Sequence, residues 1–209
     1  MRLATPALFV AVLLVSFPGG VAFATTPGCS HARPCYGTGT DDHINGTTGE
    51  DEILARGGRD FVDARGGSDV VHGGVGADGD EYAPGGLFGD SPKISANSVR
   101  DGDDTLFGGG GRDVLYGFGG SDMLIGGGED DYIFAGEFRA RMGRPGVATS
   151  KNPGVDIVSA GAGRDHIEAI DRRRDVIQCG DGKDAVWFDE GLDVVSPDCE
   201  VRNFIYGSG

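Results

Sequence analysis

Aliphatic residues recur along most of this chain with a period of nine, each placed two residues after an aspartate. The aspartates form three runs, Asp42, Asp51, Asp60, Asp69 and Asp78, then Asp104, Asp113, Asp122 and Asp131, then Asp156, Asp165, Asp175, Asp184 and Asp193. The aliphatics are Ile44, Ile53, Val62, Val71, Leu106, Leu115, Leu124, Ile133, Val158, Ile167, Ile177, Val186 and Val195. In an extended triplet the middle residue points opposite to its neighbours, so these aliphatics are predicted to face inward.

Each nine-residue unit joins six turn-forming residues to three strand-forming ones, which is too little chain to enclose a core. Such units must stack, and two of them make one coil of eighteen residues with a strand on each side. Successive coils then pair their strands in parallel. Two segments, 82–98 and 135–150, break the period and are expected to be surface insertions.

Composition supports turns rather than helices and cations rather than anions as partners. Glycine supplies 40 of 209 residues, far above the usual share of about 7%. The net charge of −15 argues against nucleic acid or an anionic membrane surface. Aspartate accounts for 25 of the 33 acidic residues, and its short side chain suits turns because it bonds to its own backbone.

The stretch GGGGRDVLY at 108–116 fits the pattern Gly-Gly-x-Gly-x-Asp-x-aliphatic-x at every fixed position, and GFGGSDMLI and GGGEDDYIF follow it closely. These units resemble the hemolysin-type calcium-binding repeats of the RTX (repeats-in-toxin) family. The resemblance implies an all-β fold, a parallel β-roll (β-solenoid) with two short strands per coil, spanning 37–196 and holding several Ca²⁺ ions between turns of neighbouring coils. The candidate ligands are the carboxylates of Asp42, Asp51, Asp60, Asp69, Asp78, Asp104, Asp113, Asp122, Asp131, Asp165 and Asp184, and the carbonyls of Gly108, Gly110, Gly117, Gly119, Gly126 and Gly128.

Elementary chemistry points to calcium as well. Ca²⁺ takes six to eight oxygen ligands, and glycine-rich turns expose their carbonyls. Coils stacked about 4.8 Å apart bring aspartates eighteen residues apart close together, and these carboxylates repel unless a cation lies between them. The expected pairs are Asp42 with Asp60, Asp51 with Asp69, Asp60 with Asp78, Asp104 with Asp122, and Asp113 with Asp131. Asp165 is expected to pair with Asp184, nineteen residues away, because the period slips by one residue before Asp175.

Two groups of turns depart from the glycine pattern. Asp156 and Asp193 would both pair with Asp175, but the turn before Asp175 reads Asp-Arg-Arg-Arg at 171–174 and has no glycine. Its arginines are a candidate counter-charge in place of the metal. The turns at 55–60 and 64–69 carry Ala-Arg where the family has Gly-Gly, which makes full occupancy of the first block an open question.

The first 24 residues have the composition of a secretory signal peptide. Arg2 precedes an apolar run at 7–17, and Ala22-Phe23-Ala24 satisfies the small-x-small rule for cleavage. The alternative, a membrane anchor, would need about twenty apolar residues. We therefore expect an exported protein without a membrane span, secreted or held at the cell surface.

Four cysteines in an exported chain predict two disulfides, with three possible connectivities. Sequence proximity favours Cys29–Cys35, within an N-terminal segment at 25–36, and Cys179–Cys199, which would join adjacent layers before a C-terminal cap at 197–209. A zinc site is disfavoured because the chain has no Cys-x-x-Cys and its four histidines are scattered.

Signatures of catalysis are absent from the sequence: it has no His-Glu-x-x-His, Gly-x-Ser-x-Gly or P-loop. We favour a non-enzymatic secreted calcium-binding protein with a structural, adhesive or cell-surface role, because signal and repeats take up nearly all of the chain. The alternative is a secreted Ca²⁺-dependent enzyme acting on polysaccharide or peptide at the roll surface. The outward residues Phe107, Tyr116, Ile125 and Phe134 form an apolar stripe that is either covered by the insertions or a docking face for a protein or glycan.

Overall fold

The computed structural model describes residues 24–25, 29, 34–79, 85–90, 101–136 and 154–205. In these ranges all regular secondary structure is β-strand. The strands are β1 Ala24–Thr25, β2 Cys35–Tyr36, β3 Asp42–Asn45, β4 Glu52–Gly57, β5 Phe61–Asp63, β6 Val70–Val75, β7 Gly86–Phe88, β8 Thr105–Gly110, β9 Val114–Tyr116, β10 Met123–Gly128, β11 Tyr132–Phe134, β12 Ile157–Gly163, β13 His166–Ala169, β14 Val176–Gly182, β15 Ala185–Asp189, β16 Val194–Val195 and β17 Val201–Ile205. Within the same ranges, no helix has the length and apolarity needed to span a membrane.

The strands alternate between two parallel sheets, as expected for a roll with two strands per coil. The odd-numbered strands β1 to β17 form a nine-stranded sheet in sequence order, and the even-numbered strands β2 to β16 form an eight-stranded sheet. Ile44 lies beside Val62 and Leu106 beside Leu124, so the register advances by eighteen residues per coil. The predicted parallel β-roll is confirmed.

The core is a column of aliphatic side chains between the two sheets. Twelve of the thirteen predicted inward residues are at most 1% exposed, and Val195 in the last coil is partly buried against them. Full burial of each such side chain stabilises the fold by about 1.5–3 kcal/mol. Because each coil contributes only two of them, stability is built up coil by coil.

The first insertion is shorter than predicted, because the segment 82–98 contains a strand. Leu87, in the middle of β7, is fully buried and pairs with Val62 and Leu115. Extra residues after Asp78 and again after Asp90 move this triplet out of the nine-residue phase, which hides it from a periodicity search. The prediction of a continuous surface insertion over 82–98 is therefore wrong for residues 86–88.

The second insertion also begins later than predicted. Ala135 is fully buried, and its N–H donates to the carbonyl of Glu168 in the next coil. It belongs to a turn of the roll, so the predicted start at 135 is wrong. The remaining predicted insertion, from 137 to 150, lies outside the described residues.

Aromatic rings stack along the outer face of the nine-stranded sheet. Tyr116 stacks on Phe88 and Phe134 with ring centroids 4.8 and 4.7 Å apart, and such contacts contribute about 0.5–1.5 kcal/mol each. On the opposite sheet Phe107 stacks on His72. The outward apolar residues are thus divided between the two sheets, and the insertions that we expected to cover them fall mostly on residues outside the described ranges.

Both predicted disulfides, Cys29–Cys35 and Cys179–Cys199, are formed. The second joins β14, which contains Cys179, to the segment between β16 and β17, which contains Cys199. β17 itself lies in the segment 197–209 that we expected to cap the roll, and it adds the last strand of the nine-stranded sheet. The predicted signal peptide lies outside the described residues except for Ala24, which begins β1 and pairs with Asp42.

Candidate calcium sites

The periodic aspartates form two straight ladders, one along each edge of the roll. The first ladder precedes the strands of the nine-stranded sheet and contains Asp42, Asp60, Asp78, Asp113, Asp131, Asp165 and Asp184. The second ladder precedes the strands of the eight-stranded sheet and contains Asp51, Asp69, Asp104, Asp122, Asp156, Asp175 and Asp193. All except Asp193 are at most 7% exposed.

Each rung of a ladder bonds to the next rung in the same way. The backbone N–H of the earlier aspartate donates to Oδ1 of the aspartate one coil later, over 2.8–3.0 Å. The structure thus brings together every pair that the eighteen-residue spacing suggested, including both pairs of Asp175. It also joins four pairs that this spacing could not predict, because insertions lengthen the coil to 34 or 35 residues: Asp69 with Asp104, Asp78 with Asp113, Asp122 with Asp156, and Asp131 with Asp165.

The second carboxylate oxygen of most rungs is buried without a hydrogen-bond donor. This unpartnered atom is Oδ2 in Asp60, Asp69, Asp78, Asp104, Asp113, Asp122, Asp131, Asp165, Asp175 and Asp184. Buried polar atoms are almost always paired, so a regular series of unpaired oxygens indicates a missing electropositive partner.

A glycine leaves room beside each of several unpartnered oxygens. A β-carbon on Gly108 would lie 2.6 Å from Asp113 Oδ2 and 2.5 Å from the carbonyl oxygen of Gly126 in the next coil. A β-carbon on Gly126 would likewise lie 2.5 Å from Asp131 Oδ2 and from the Ala160 carbonyl oxygen. One carboxylate and one carbonyl from consecutive coils therefore converge on the volume that the glycine leaves free.

The repeat also needs glycine for its backbone angles. Numbering the six residues of each turn from 1 to 6, with the ladder aspartate last, positions 2 and 4 adopt positive φ, as in Gly109 (113°) and Gly111 (116°). This explains the Gly-Gly-x-Gly pattern, since only glycine takes such angles without strain. In three turns position 2 is not glycine but still has positive φ: Arg56 (82°), Arg65 (86°) and Phe118 (73°).

Not every predicted carbonyl ligand is placed equally well. The carbonyl oxygens of Gly108 and Gly126 reach the glycine spaces of the neighbouring coil. The carbonyl of Gly110 accepts a hydrogen bond from the Gly76 N–H. The ligand roles of all six glycines stay predictions.

Burial makes the ladder carboxyls weak acids. It raises the pKa of Asp122 to about 9, of Asp131 to about 8 and of Asp113 to about 7, and neighbouring carboxylates add to the rise. Hydrogen bonds from the backbone of the preceding rung partly oppose it. The ladders therefore require either protons or a cation at neutral pH.

The first turn of each ladder differs from the rest because threonine holds position 2. Thr38 Oγ1 donates to Asp42 Oδ2 and Thr47 Oγ1 to Asp51 Oδ2, both over 2.9 Å. The backbone N–H groups of the same threonines donate to these oxygens too. In these two turns Oδ2 of the ladder aspartate accepts hydrogen bonds, whereas the same oxygen has no donor in most interior turns.

Periodicity missed three acidic residues that the structure places beside the ladders. Asp90 is 2% exposed with Oδ1 unpaired, and burial raises its pKa to about 9. Glu200 Oε2 accepts from the Asp184 N–H and thereby ends the first ladder. Asp171 lies within reach of Asp156 and Asp175. All three lie outside the nine-residue phase, and only the excess of acids near each turn could have suggested them.

The donor set fits Ca²⁺. It consists of carboxylate and carbonyl oxygens, which suit a hard cation of flexible coordination, and it contains no sulfur or imidazole that would favour zinc. Because the unpaired oxygens repeat along both edges, the roll offers several such sites.

The family model of the RTX calcium-binding nonapeptide repeat matches the chain in four copies, at residues 36–71, 46–79, 100–136 and 152–169. No curated protein and no solved structure matches the chain. The matched family is a calcium-binding repeat, which is typically structural, and no catalytic family is identified. The chain therefore contains RTX calcium-binding nonapeptide repeats, and these repeats form a calcium-binding β-roll.

Proposed function

We propose that this protein is a secreted module whose roll folds only when Ca²⁺ neutralises its two aspartate ladders. Folded and loaded, it serves a structural, adhesive or cell-surface role. The observation that carries the proposal is the series of buried carboxylates, each with one oxygen that has no hydrogen-bond donor.

Electrostatics explain why the fold would depend on the ion. Two carboxylates about 4.8 Å apart repel by about 3.5 kcal/mol at an effective dielectric constant of about 20. A few such contacts equal the entire net stability of an ordinary domain, about 5–15 kcal/mol. The ionised ladders therefore favour the unfolded chain, and bound Ca²⁺ reverses that balance.

Export is supported by two independent features. The N-terminal sequence has the composition of a signal peptide, and disulfides such as Cys29–Cys35 and Cys179–Cys199 persist in oxidising compartments. Extracellular calcium modules bind with Kd of about 10⁻⁴–10⁻³ M. Such sites stay empty at cytosolic Ca²⁺ and fill outside the cell. N-terminal sequencing of the exported protein tests this directly: we expect Thr25 as the first residue, and retention of the full chain in the cytosol would contradict secretion.

The test of calcium-dependent folding is far-ultraviolet circular dichroism of the chain lacking residues 1–24, recorded in EDTA and in 10 mM CaCl₂. We expect strand signal in Ca²⁺ and a largely unfolded spectrum in EDTA, with 10 mM MgCl₂ as the control for ionic strength and divalent charge. Identical spectra in EDTA and Ca²⁺ would overturn the proposal.

A further inference from the structure

We propose that the turn at 170–175 and Asp156 form a cation site built from three carboxylates, with a ligand set that the glycine turns do not have. The inference concerns one turn outside the matched repeats, and it rests on the proposed function only in taking Ca²⁺ as the ion. The family pattern gives no reason to place a ligand at position 2 of a turn, where Asp171 lies.

This turn shares one hydrogen bond with the turn at Thr38, although Arg172 at position 3 has a φ of 71° that the threonine turns do not have. Asp171 Oδ1 accepts a hydrogen bond from the Arg173 N–H at position 4, over 2.7 Å. Thr38 Oγ1 accepts in the same way from the Thr40 N–H, over 3.2 Å. A side-chain oxygen at position 2 thus holds the turn without glycine at positions 2 and 4.

The two kinds of turn differ in what that side chain can offer the ladder. The Thr38 hydroxyl also donates to Oδ2 of Asp42 and so satisfies that oxygen without a cation, whereas Oδ1 of Asp42 has no donor. The carboxylate of Asp171 has no proton to donate when ionised. It therefore brings a second negative charge to the place where the threonine turns supply a donor.

Three carboxylates meet at this point. Asp156, Asp171 and Asp175 each place one oxygen within 4.8 Å of the others. Asp156 and Asp175 are 1% and 0% exposed, and the Oδ2 atoms of Asp171 and Asp175 have no hydrogen-bond donor. A deeply buried side chain with an unpartnered oxygen is an independent sign of a ligand, beyond the acidity of the cluster.

The neighbouring arginines do not replace the cation, contrary to our expectation from the sequence. The side chains of Arg172, Arg173 and Arg174 are all exposed. The charge of Arg173 lowers the pKa of Asp171, but burial has the larger effect and raises it. The cluster therefore keeps a strong excess of negative charge.

Ca²⁺ fits these oxygens. Ligands held at about 2.3–2.6 Å from one ion lie about 3–5 Å from each other, which agrees with the separation in the cluster. Affinity in calcium sites rises with the number of charged ligands. The spaces beside Gly108 and Gly126 each receive one carboxylate and one carbonyl oxygen, whereas this site has three carboxylates, so we expect it to be the first to fill in a calcium titration.

Asp171→Thr tests the site, because it copies the turns at Thr38 and Thr47. In the full mature chain we measure bound Ca²⁺ by isothermal titration calorimetry and by elemental analysis after desalting. We expect the variant to keep its circular dichroism spectrum, to bind one ion fewer and to lose the tightest phase of the titration. Asp171→Asn, which is nearly isosteric, gives the same readout if the threonine variant folds poorly.

Arg173→Gln is the matched control, since it removes the exposed guanidinium but no ligand, and its stoichiometry should equal that of the wild type. If the Asp171 variants keep the wild-type number of ions and the tightest phase, the inference is wrong. If the wild type itself binds no Ca²⁺, the proposed function fails instead, so the two failures are distinguishable.

Discussion

Gly126 and Gly128 allow a paired test of the space in which a carboxylate and a carbonyl converge. Neither glycine has positive φ, so alanine fits both backbones. A β-carbon at Gly126 would lie 2.5 Å from Asp131 Oδ2 and 2.5 Å from the Ala160 carbonyl oxygen, whereas one at Gly128 has nothing within 4 Å. Gly126→Ala therefore displaces two candidate ligands, and Gly128→Ala is its control.

The size of the effect follows from linkage. One ion present at 100 times its Kd stabilises the fold by about 2.7 kcal/mol, and one present at 10 times its Kd by about 1.4 kcal/mol. With a Kd of about 10⁻⁴ M, these ratios correspond to about 10 mM and 1 mM Ca²⁺. Alanine at an unstrained glycine position adds about 0.4–1 kcal/mol by restricting the unfolded chain. Both variants gain this contribution, so it cancels between them, and we expect them to differ by about 2.7 kcal/mol at the higher concentration and by about 1.4 kcal/mol at the lower.

The assay is urea unfolding followed by circular dichroism at both Ca²⁺ concentrations, together with calorimetric stoichiometry. Gly126→Ala should bind one ion fewer than Gly128→Ala. A gap of equal size at 1 and 10 mM Ca²⁺, with equal stoichiometry, would mean that the alanine only clashes with its neighbours. That result would refute the assignment of this space to an ion.

Three further measurements test other parts of the structure. Arg65→Gly should raise the free energy of unfolding by about 1 kcal/mol, because it relieves a φ of 86° and a buried Nε without a partner; an unchanged urea midpoint would contradict this. Replacing both Cys179 and Cys199 by alanine should lower the free energy of unfolding by about 3 kcal/mol, and an unchanged urea midpoint would contradict this. Burial raises the pKa of Asp60 to about 6, of Asp131 to about 8 and of Asp122 to about 9, so the cation-free fold is most stable below about pH 4 and loses stability as the pH rises through those values. Circular dichroism in calcium-stripped buffer from pH 4 to 9 should show strand signal fading as the pH increases, and growth of the signal with pH would refute it.

The periodic part of the fold could be predicted from the sequence because local geometry determines it. An aliphatic at the centre of each triplet specifies both the inward face and the register, and Ile44, Leu106 and Ile177 lie where the period puts them. The eighteen-residue spacing likewise predicted which aspartates meet. These features depend only on neighbours within one coil.

The remaining features could not be predicted because they depend on contacts that the period does not describe. β7 follows extra residues after Asp78, so only its pairing with β5 and β9 identifies it as part of the roll. Asp171 looked like part of a charged loop, and its role depends on Asp156 in the preceding coil. The threonine turns resemble ordinary repeats until the hydroxyl is seen to donate to the ladder.

The bonds between rungs all run in one direction, from the backbone of an earlier aspartate to the carboxylate of a later one. The space beside Gly108 likewise receives the carbonyl oxygen of Gly126, which lies one coil further along the chain. In the described coils, an interior site is therefore not completed by its own coil, because one of its oxygens comes from a coil that is synthesised later. A chain shortened from its C-terminus would always end in one half-built site per edge, whatever its length. On the first edge Glu200 takes that terminal place, where its carboxylate accepts a hydrogen bond from the N–H of Asp184 as the next ladder aspartate would.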